Sequence, residues 1–221
     1  MAGALRVGFI GLGLMGQGMA ESLLKHDFPL TVMAHRNRAP IEALCEMGAK
    51  EAKSPAEVAS SSDIVILCVG TTQQIESIVH GSEGLLAGAH QGLVVIDCST
   101  SLPNSTLRMA ETIEAAGCHL IDAPLARTPK EAREGRLNVM LGGDDEIVAR
   151  VRPVIEAFAE NIVHVGDLGS AHKLKLINNF LSLGAAALVS EAATMAAKLD
   201  VDQRKLFEVC SLGGANSAML G

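Results

Sequence analysis

The 221-residue sequence contains 48% hydrophobic and 19% charged residues and carries a formal net charge of −7. This composition is typical of a globular chain, and the acidic balance supplies no basic face for a general nucleic-acid binder. The sequence contains no Tyr and no Trp, which excludes the short-chain dehydrogenases, because their catalytic group is a tyrosine.

Cysteine, histidine and hydropathy patterns narrow the protein class further. The five cysteines are widely spaced and form no CxxC motif, which favours reduced thiols in a cytoplasmic protein. The seven histidines lack ligand spacing, so we expect no metal site. The longest uncharged stretch near the C-terminal end lies between Lys175 and Glu191, shorter than the ~20 residues of a membrane span. We therefore expect no membrane segment.

Short apolar runs rich in Val and Ile alternate with helical spacing from residue 5 to about residue 165. We predict strands at 6–10, 30–34, 64–69, 93–97, 119–122, 138–141 and 162–165. Helical periodicity marks segments such as 40–47 and 103–116. The alternation predicts βαβ units in an α/β domain with a doubly wound, mostly parallel sheet.

A glycine-rich turn follows the first predicted strand and opens the first predicted helix. Its residues are Gly11, Leu12, Gly13, Leu14, Met15 and Gly16, in a GxGxxG pattern. Gly11 permits the tight turn, Gly13 lets a pyrophosphate approach, and Gly16 lets the helix pack close to the strand. Together with the βαβ pattern, the turn predicts a dinucleotide site of Rossmann type rather than a turn without a ligand.

The end of the second strand bears on the choice of nicotinamide cofactor. An NAD enzyme usually has Asp or Glu there to bind the ribose 2′-OH, whereas this chain has Ala-His-Arg-Asn-Arg. Arg36 and Arg38 can pair with the 2′-phosphate of NADP. We predict NADP, with NAD as the alternative. If the two arginines bind no phosphate, they are solvated loop residues. The cofactor-binding residues predicted here are His35, Arg36 and Asn37.

After Gly169 the sequence predicts a long helix at 171–199 and a second helix at 202–210, with Asp202 as its cap or as a first-turn carboxylate. Lys175 and Asn179 are four residues apart and so share one helix face. Lys175 has apolar neighbours in sequence, and consecutive asparagines in an apolar helix cost desolvation unless something uses them. Alanines on the long helix favour close approach of another helix, from the same chain or from a second copy.

Five motifs occur in the order known from one enzyme family. They are GFIGLGLMG, IDCST at 96–100, DAP at 122–124, GRLNVMLGG at 135–143, and the segment from Gly169 through Lys175 to Asn179. In this order they resemble the β-hydroxyacid dehydrogenases, which include 3-hydroxyisobutyrate dehydrogenase and tartronate semialdehyde reductase. The resemblance covers the whole chain. Lys175-Leu-Ile-Asn-Asn argues against a 6-phosphogluconate dehydrogenase or an imine reductase within the wider superfamily.

The resemblance implies a Rossmann-type NADP-binding domain at 1–166, followed by the start of an all-α C-terminal domain at 167–221. It implies that Lys175 is the general acid/base and that Asn179 positions the substrate. It also implies cofactor contacts from Val69, Gly70, Gln74 and Thr100. Relatives continue with more helices, so the chain is expected to be truncated. The resemblance also implies a homo-oligomer, either a dimer or a tetramer.

The implied substrate is a small anionic hydroxy acid or its aldehyde, such as a 3-hydroxy acid or its semialdehyde. Many relatives follow Asp-Ala-Pro with Val-Ser-Gly-Gly, whereas this chain has Leu-Ala-Arg-Thr. Ala126, Arg127 and Thr128 are therefore predicted to bind substrate, and Arg127-Thr128 is similar to the sulfolactaldehyde reductase branch. The alternative to substrate binding is that Arg127 is a surface arginine that stabilises its loop.

Two alternative functions stay open from the sequence: a truncated NADP-binding module without turnover, and a sulfolactaldehyde or succinic semialdehyde reductase type of activity. Two further polar groups are assigned no chemistry. Asp144 to Glu146 are predicted to form a turn and the first turn of a helix. His172 lies three residues before Lys175 and could border the pocket, but we predict a helix-capping or solvated histidine.

Overall fold

The computed structural model describes residues 5–33 and 37–216. The chain forms two compact units, a larger one that ends at Lys175 and a smaller one that begins at Leu176. The predicted domain boundary after residue 166 remains a prediction.

The larger unit is an α/β domain, as the alternating pattern predicts. Its strands are β1 (Val7–Ile10), β2 (Leu30–Met33), β3 (Lys50–Ala52), β4 (Ile64–Leu67), β5 (Val94–Asp97), β6 (His119–Asp122), β7 (Leu125–Ala126), β8 (Leu137–Gly142) and β9 (Ala159–Gly166). Its helices are α1 (Leu14–Lys25), α2 (Ala39–Glu46), α3 (Pro55–Ser60), α4 (Thr72–His80), α5 (Pro103–Ala115), α6 (Pro129–Glu134) and α7 (Asp145–Glu156), with a short 3₁₀ helix at Leu85–Gly88.

The sheet order is β3-β2-β1-β4-β5-β6-β8, and β8 also pairs with β7 and β9. The six strands from β3 to β6 in this order are parallel to one another, and β9 runs parallel to β8. The antiparallel pairs are β6 with β8 and β7 with β8. The sheet is therefore mostly parallel, as predicted, and the carboxyl ends of β1, β4, β5 and β6 meet at one edge.

The central strands are buried on both faces, which explains their continuous apolar runs. Val7 and Phe9 belong to one core cluster, and Ile10 belongs to another. Alternate residues of β4 divide in the same way, with Ile64 and Ile66 in the first cluster. Because successive strand residues point to opposite faces, these two clusters are the cores above and below the sheet.

Two strands lie outside the sequence prediction. β3 has the sequence Lys-Glu-Ala, and only Ala52 is buried. β7 has only two residues. Neither segment has the apolar run that marks a buried strand, because a short edge strand needs to bury few side chains.

The helix α8 (Ser170–Lys198) spans the boundary of the two units, and α9 (Gln203–Ser211) follows in the smaller unit. Asp202 caps α9, since its side chain accepts a hydrogen bond from the Arg204 amide at 2.8 Å. Asp144 caps α7 in the same way, as the sequence indicates. By length and composition α8 could cross a membrane, and 6% of its most apolar window is buried. A single such helix is weak evidence, so the expectation of no membrane segment stays a prediction.

Candidate active site

The glycine turn joins β1 to α1 in the conformation that a dinucleotide site needs. Gly11 has a φ of 106°, and a side chain there would collide with the carbonyl oxygen of Cys68. A side chain at Gly16 would collide with the carbonyl oxygen of Gly11 and lie 3.0 Å from the Phe9 ring. Around Gly13, by contrast, nothing lies within 4 Å of an added side chain. The open space at Gly13 is where a phosphate can approach the backbone.

The first turn of α1 has the electrostatics of an anion site. Gly13 is the N-cap residue of α1 and has no side chain to accept hydrogen bonds from the first amides. No acidic residue occupies the first turn. The free N–H groups and the positive end of the helix dipole therefore remain available to phosphates. On these observations the turn fits a dinucleotide cofactor.

A cleft of about 580 Å³ opens beside this turn, within the size range of small-molecule sites. Its lining includes seven of the predicted cofactor-binding residues: Gly11, Leu12, Gly13, Asn37, Val69, Gly70 and Gln74. The side chain of Gln74 accepts a hydrogen bond from the Gly70 amide at 2.9 Å, which orders the loop after β4. The tertiary structure thus brings together loops that are far apart in sequence.

The remaining predicted cofactor residues do not line this cleft or lie outside the described residues. Leu14, Met15, Gly16 and Thr100 are absent from the lining of this cleft. Leu14 is 75% exposed at the start of α1, and Thr100 is exposed on the loop after β5. His35 and Arg36 lie outside the described residues.

Arg38, the second arginine considered for the 2′-phosphate, is already paired. Its guanidinium donates two hydrogen bonds of 3.0 Å to the carboxylate of Glu51. These bonds lower the pKa of Glu51 and raise that of Arg38, so the pair remains charged. A phosphate would have to compete with Glu51 for Arg38.

The residues predicted to bind substrate form local contacts at the start of α6. Thr128 caps this helix in a capping box, in which Thr128 and Glu131 each bind the other's backbone. Arg127 pairs with Glu160 and donates a hydrogen bond of 2.5 Å to the Arg136 carbonyl. Ala126 ends β7. These contacts agree with the loop-stabilising explanation, so substrate binding by these residues remains a prediction.

Lys175 lies in the second turn of α8 and is half-buried. Burial lowers the pKa of Lys175, because removing water disfavours the charged ammonium. Lys173, by comparison, is exposed, as expected of an ordinary surface lysine. Asn179 follows Lys175 by four residues in α8 and belongs to the smaller unit.

His172 differs from its sequence prediction. We expected a capping or solvated histidine, but the side chain is fully buried. Its ring contacts Thr106 and lies within 4 Å of the carboxylates of Asp97 and Asp122. The sequence signal was present in part, since each aspartate ends an apolar strand, but nothing in the spacing connects them to His172.

Metal binding receives no support from the geometry. Within residues 5–33 and 37–216, no three or more His, Cys, Asp or Glu side chains are grouped as metal ligands would be. The prediction that the site uses no metal stays a prediction.

Comparisons with known proteins identify the family. Residues 6–166 match the model of the NAD binding domain of 6-phosphogluconate dehydrogenase. Residues 169–221 match the model described as NAD-binding of NADP-dependent 3-hydroxyisobutyrate dehydrogenase. The chain is 31% identical to 2-(hydroxymethyl)glutarate dehydrogenase of Eubacterium barkeri over 98% of its own length and 72% of that relative. The chain belongs to the β-hydroxyacid dehydrogenase family.

Further comparisons agree with this assignment. The 3-hydroxyisobutyrate dehydrogenase of Pseudomonas aeruginosa is 36% identical, over 92% of this β-hydroxyacid dehydrogenase and 68% of the relative. The solved structure of Mycobacterium tuberculosis 3-hydroxyisobutyrate dehydrogenase with L-serine has a TM-score of 0.87 and 26% identity, and covers 97% of this chain and 72% of that one. The protein is thus an NAD(P)-dependent enzyme that acts on hydroxy acids, and the binding module without turnover is set aside.

Proposed function

We propose that the protein transfers hydride between NADP(H) and a small 3-hydroxy acid or its semialdehyde, with Lys175 as the general acid/base. One observation carries the proposal: Lys175 is half-buried, and its pKa is lowered, near the start of a helix that is fixed to the sheet edge. The cofactor cleft opens at the same edge. An ordinary surface lysine keeps its hydration, as the exposed Lys173 does on the same helix.

The chemistry assigned to Lys175 is proton transfer. A bound nicotinamide cofactor supplies or accepts the hydride. In the direction of reduction, the Nζ ammonium of Lys175 donates its proton to the substrate carbonyl oxygen. In oxidation, the neutral amine accepts the hydroxyl proton, and the lowered pKa makes this form more abundant at working pH. By the family resemblance, Asn179 would orient the substrate.

Two observations support the preference for NADP. Residues 34–38, which follow β2 in the sequence, contain no carboxylate that would repel a 2′-phosphate. The family model that matches residues 169–221 describes an NADP-dependent enzyme. Because Glu51 holds Arg38, we assign the phosphate contact to Arg36.

The substrate is anionic in this proposal, and Arg127 with Thr128 and Ala126 would bind its charged end. A guanidinium suits a carboxylate or a sulfonate, since both accept hydrogen bonds in pairs. We further propose that the enzyme is a cytoplasmic homo-oligomer, a dimer or tetramer, with no nucleic-acid, membrane or metal partner. The five cysteines are free, which agrees with a reducing compartment.

The test compares wild type, Lys175→Ala and the matched control Lys173→Ala. NADPH and NADH oxidation would be followed with sulfolactaldehyde, the succinic, tartronic and methylmalonic semialdehydes, and glyoxylate. We expect Lys175→Ala to lower kcat about 10²- to 10⁴-fold, the range for general acid/base groups, while NADPH still binds. Lys173→Ala should behave as wild type. Full activity in Lys175→Ala would refute the assigned mechanism.

A further inference from the structure

Three buried polar side chains lie at the start of α8, the helix that carries Lys175. Asp97 ends β5, Asp122 ends β6, and His172 belongs to the first turn of α8. All three are fully buried. Burial of such groups is costly unless they bind each other or the backbone, so their arrangement calls for a role.

Asp122 fixes the N-terminus of α8 to the sheet. One carboxylate oxygen accepts a hydrogen bond from the Gly169 amide at 2.8 Å, and the other accepts one from the His172 amide at 2.7 Å. These amides belong to the group that has no partner within a helix. The carboxylate thus lies at the N-terminal end of the helix, where the helix dipole is positive.

The imidazole of His172 connects α8 to two further elements. Nδ1 lies 2.8 Å from the Thr106 hydroxyl on α5. Nε2 lies 3.2 Å from the carbonyl oxygen of Ser99, which can only accept, so Nε2 carries a proton and donates it. The ring is thereby held between α5 and the loop that follows β5.

Ser99 continues this connection to the cofactor cleft. Its hydroxyl accepts a hydrogen bond of 3.0 Å from the amide of Val69, which lines the cleft. Its own amide donates to Asp97 Oδ1 at 2.9 Å. Ser99 is therefore the shared partner of a cofactor-binding loop and of the helix that bears Lys175.

The imidazole ring of His172 also lies beside the carboxylate of Asp97. Its Oδ2 is buried and has no hydrogen-bond partner among the described residues, and it lies 3.7 Å from His172 Nε2. Burial raises the pKa of Asp97, since a carboxylate is costly away from water. A basic ring beside this oxygen offsets that cost, whereas an apolar side chain could not.

We propose that His172 is a positioning residue that holds Lys175 in place relative to the cofactor cleft through its hydrogen bond to Ser99. The helix geometry carries the effect, because residues three apart are neighbours on one helix face. A rotation of the first turn of α8 therefore displaces Lys175. This inference rests on the proposed role of Lys175.

The test uses three substitutions that separate the contacts of the ring. His172→Gln places an amide near the position of Nε2 and retains the donor to Ser99. His172→Asn places its amide near Nδ1 and retains only the contact to Thr106. His172→Leu removes both contacts. The probes are oxidation of 3-hydroxyisobutyrate with NADP⁺ and reduction of the five aldehydes above with NADPH.

We expect His172→Leu and His172→Asn to lower kcat about 10- to 100-fold, comparable to the loss when a hydrogen bond that orients a metal ligand is removed. His172→Gln should recover most of this loss, and KM and NADPH affinity should change by less than about twofold. Each assay runs below the melting temperature of the variant. Equal activity of Gln and Asn variants would overturn the proposal, as would losses confined to NADPH affinity.

A double-mutant cycle separates positioning from general damage. If His172 acts through Lys175, adding His172→Asn to Lys175→Ala should cause no further loss of kcat. A full additional loss would contradict the proposal. Should Lys175→Ala remain fully active, the proposed function fails instead, and the two failures are thus distinguishable.

Amide hydrogen exchange gives a readout that does not depend on turnover. In His172→Asn, the amides of residues 170–175 should exchange faster than in His172→Gln, because the first turn of α8 loses its contact with Ser99. Should His172→Leu fail to fold, the Asn and Gln variants and this measurement still decide the question. Identical exchange in both variants would count against the proposal.

Discussion

At the scale of single residues, Arg127 combines an unusual backbone with a side chain that is already engaged. Its φ is 86°, in the left-handed region that favours glycine. Its guanidinium binds Glu160 and the Arg136 carbonyl. Strain of this kind is maintained by surrounding contacts and often occurs at functional sites. Arg127 is therefore the residue at which a structural and a substrate-binding role most need to be separated.

Two variants separate these roles. Arg127→Ala removes the guanidinium, whereas Glu160→Gln breaks the ion pair but leaves the guanidinium available. If Arg127 binds the anionic substrate, Arg127→Ala should raise KM on the order of tenfold or more, as for a lost charge-assisted bond. Glu160→Gln should leave KM unchanged or lower it. Similar losses of thermal stability with unaltered KM in both variants would favour the structural role. The measurement is steady-state kinetics beside thermal unfolding.

The lowered pKa of Lys175 has a direction that kinetics can detect. Oxidation needs the neutral amine, so kcat/KM for oxidation should rise with pH. Because the pKa of Lys175 is lowered, the plateau should be reached at a lower pH than for an ordinary lysine. Reduction needs the ammonium, so its rate should fall over the same pH interval. pH-rate profiles in both directions measure this, with Lys173→Ala as the control. A profile that levels off only at an ordinary lysine pKa would be the contrary result.

At the scale of elements, the turn between β1 and α1 distinguishes a glycine that the fold needs from one that the ligand needs. Gly16 packs against the carbonyl of Gly11 and the Phe9 ring, whereas Gly13 faces open space in the cleft. We therefore expect the same motif to serve packing at Gly16 and phosphate binding at Gly13.

Gly16→Ala should lower the free energy of unfolding by about 1–3 kcal/mol, because the added methyl has no room. Gly13→Ala should cost less than about 1 kcal/mol, as for a weaker helix cap, yet weaken NADPH binding on the order of tenfold. Denaturant unfolding and NADPH fluorescence titration measure the two effects. Wild-type NADPH affinity in a folded Gly13→Ala protein would argue against phosphate binding at this turn.

At the scale of the whole molecule, the smaller unit exposes several large apolar side chains on α8. Its exposed large side chains include Phe180, at 78%, and Leu181, Leu183 and Leu188. Contiguous exposed apolar surface marks a site of association with protein or membrane. The proposed homo-oligomer would cover it with a second copy.

We therefore expect the purified protein to sediment as a dimer or tetramer at micromolar concentration in buffer without detergent. Phe180→Asp should shift it toward the monomer, because a charge in an apolar interface is costly. Lys198→Asp, a charge change at the end of α8, provides a control that should keep the oligomer. Sedimentation velocity measures the state. A monomeric wild type, or co-flotation with phosphatidylcholine vesicles, would count against this proposal.

Much of the fold and part of the site could be predicted from local pattern. The buried parallel strands, the glycine turn and the long helix each leave a periodic signal, because neighbouring residues share one environment. Edge strands β3 and β7 leave none, since they bury too little. The loops after β1 and β4, which are predicted to bind the cofactor, line one cleft, while Thr100 lies outside it.

By itself, the sequence determined the α/β class, the dinucleotide turn and the lysine on its helix, because short-range spacing encodes all three. Only the tertiary structure decided which distant polar groups meet. Asp97, Asp122 and His172 come from three separate elements, and their contact depends on strand order and on where α8 returns to the sheet. Long-range contacts of this kind carry no periodicity, so no local pattern reveals them.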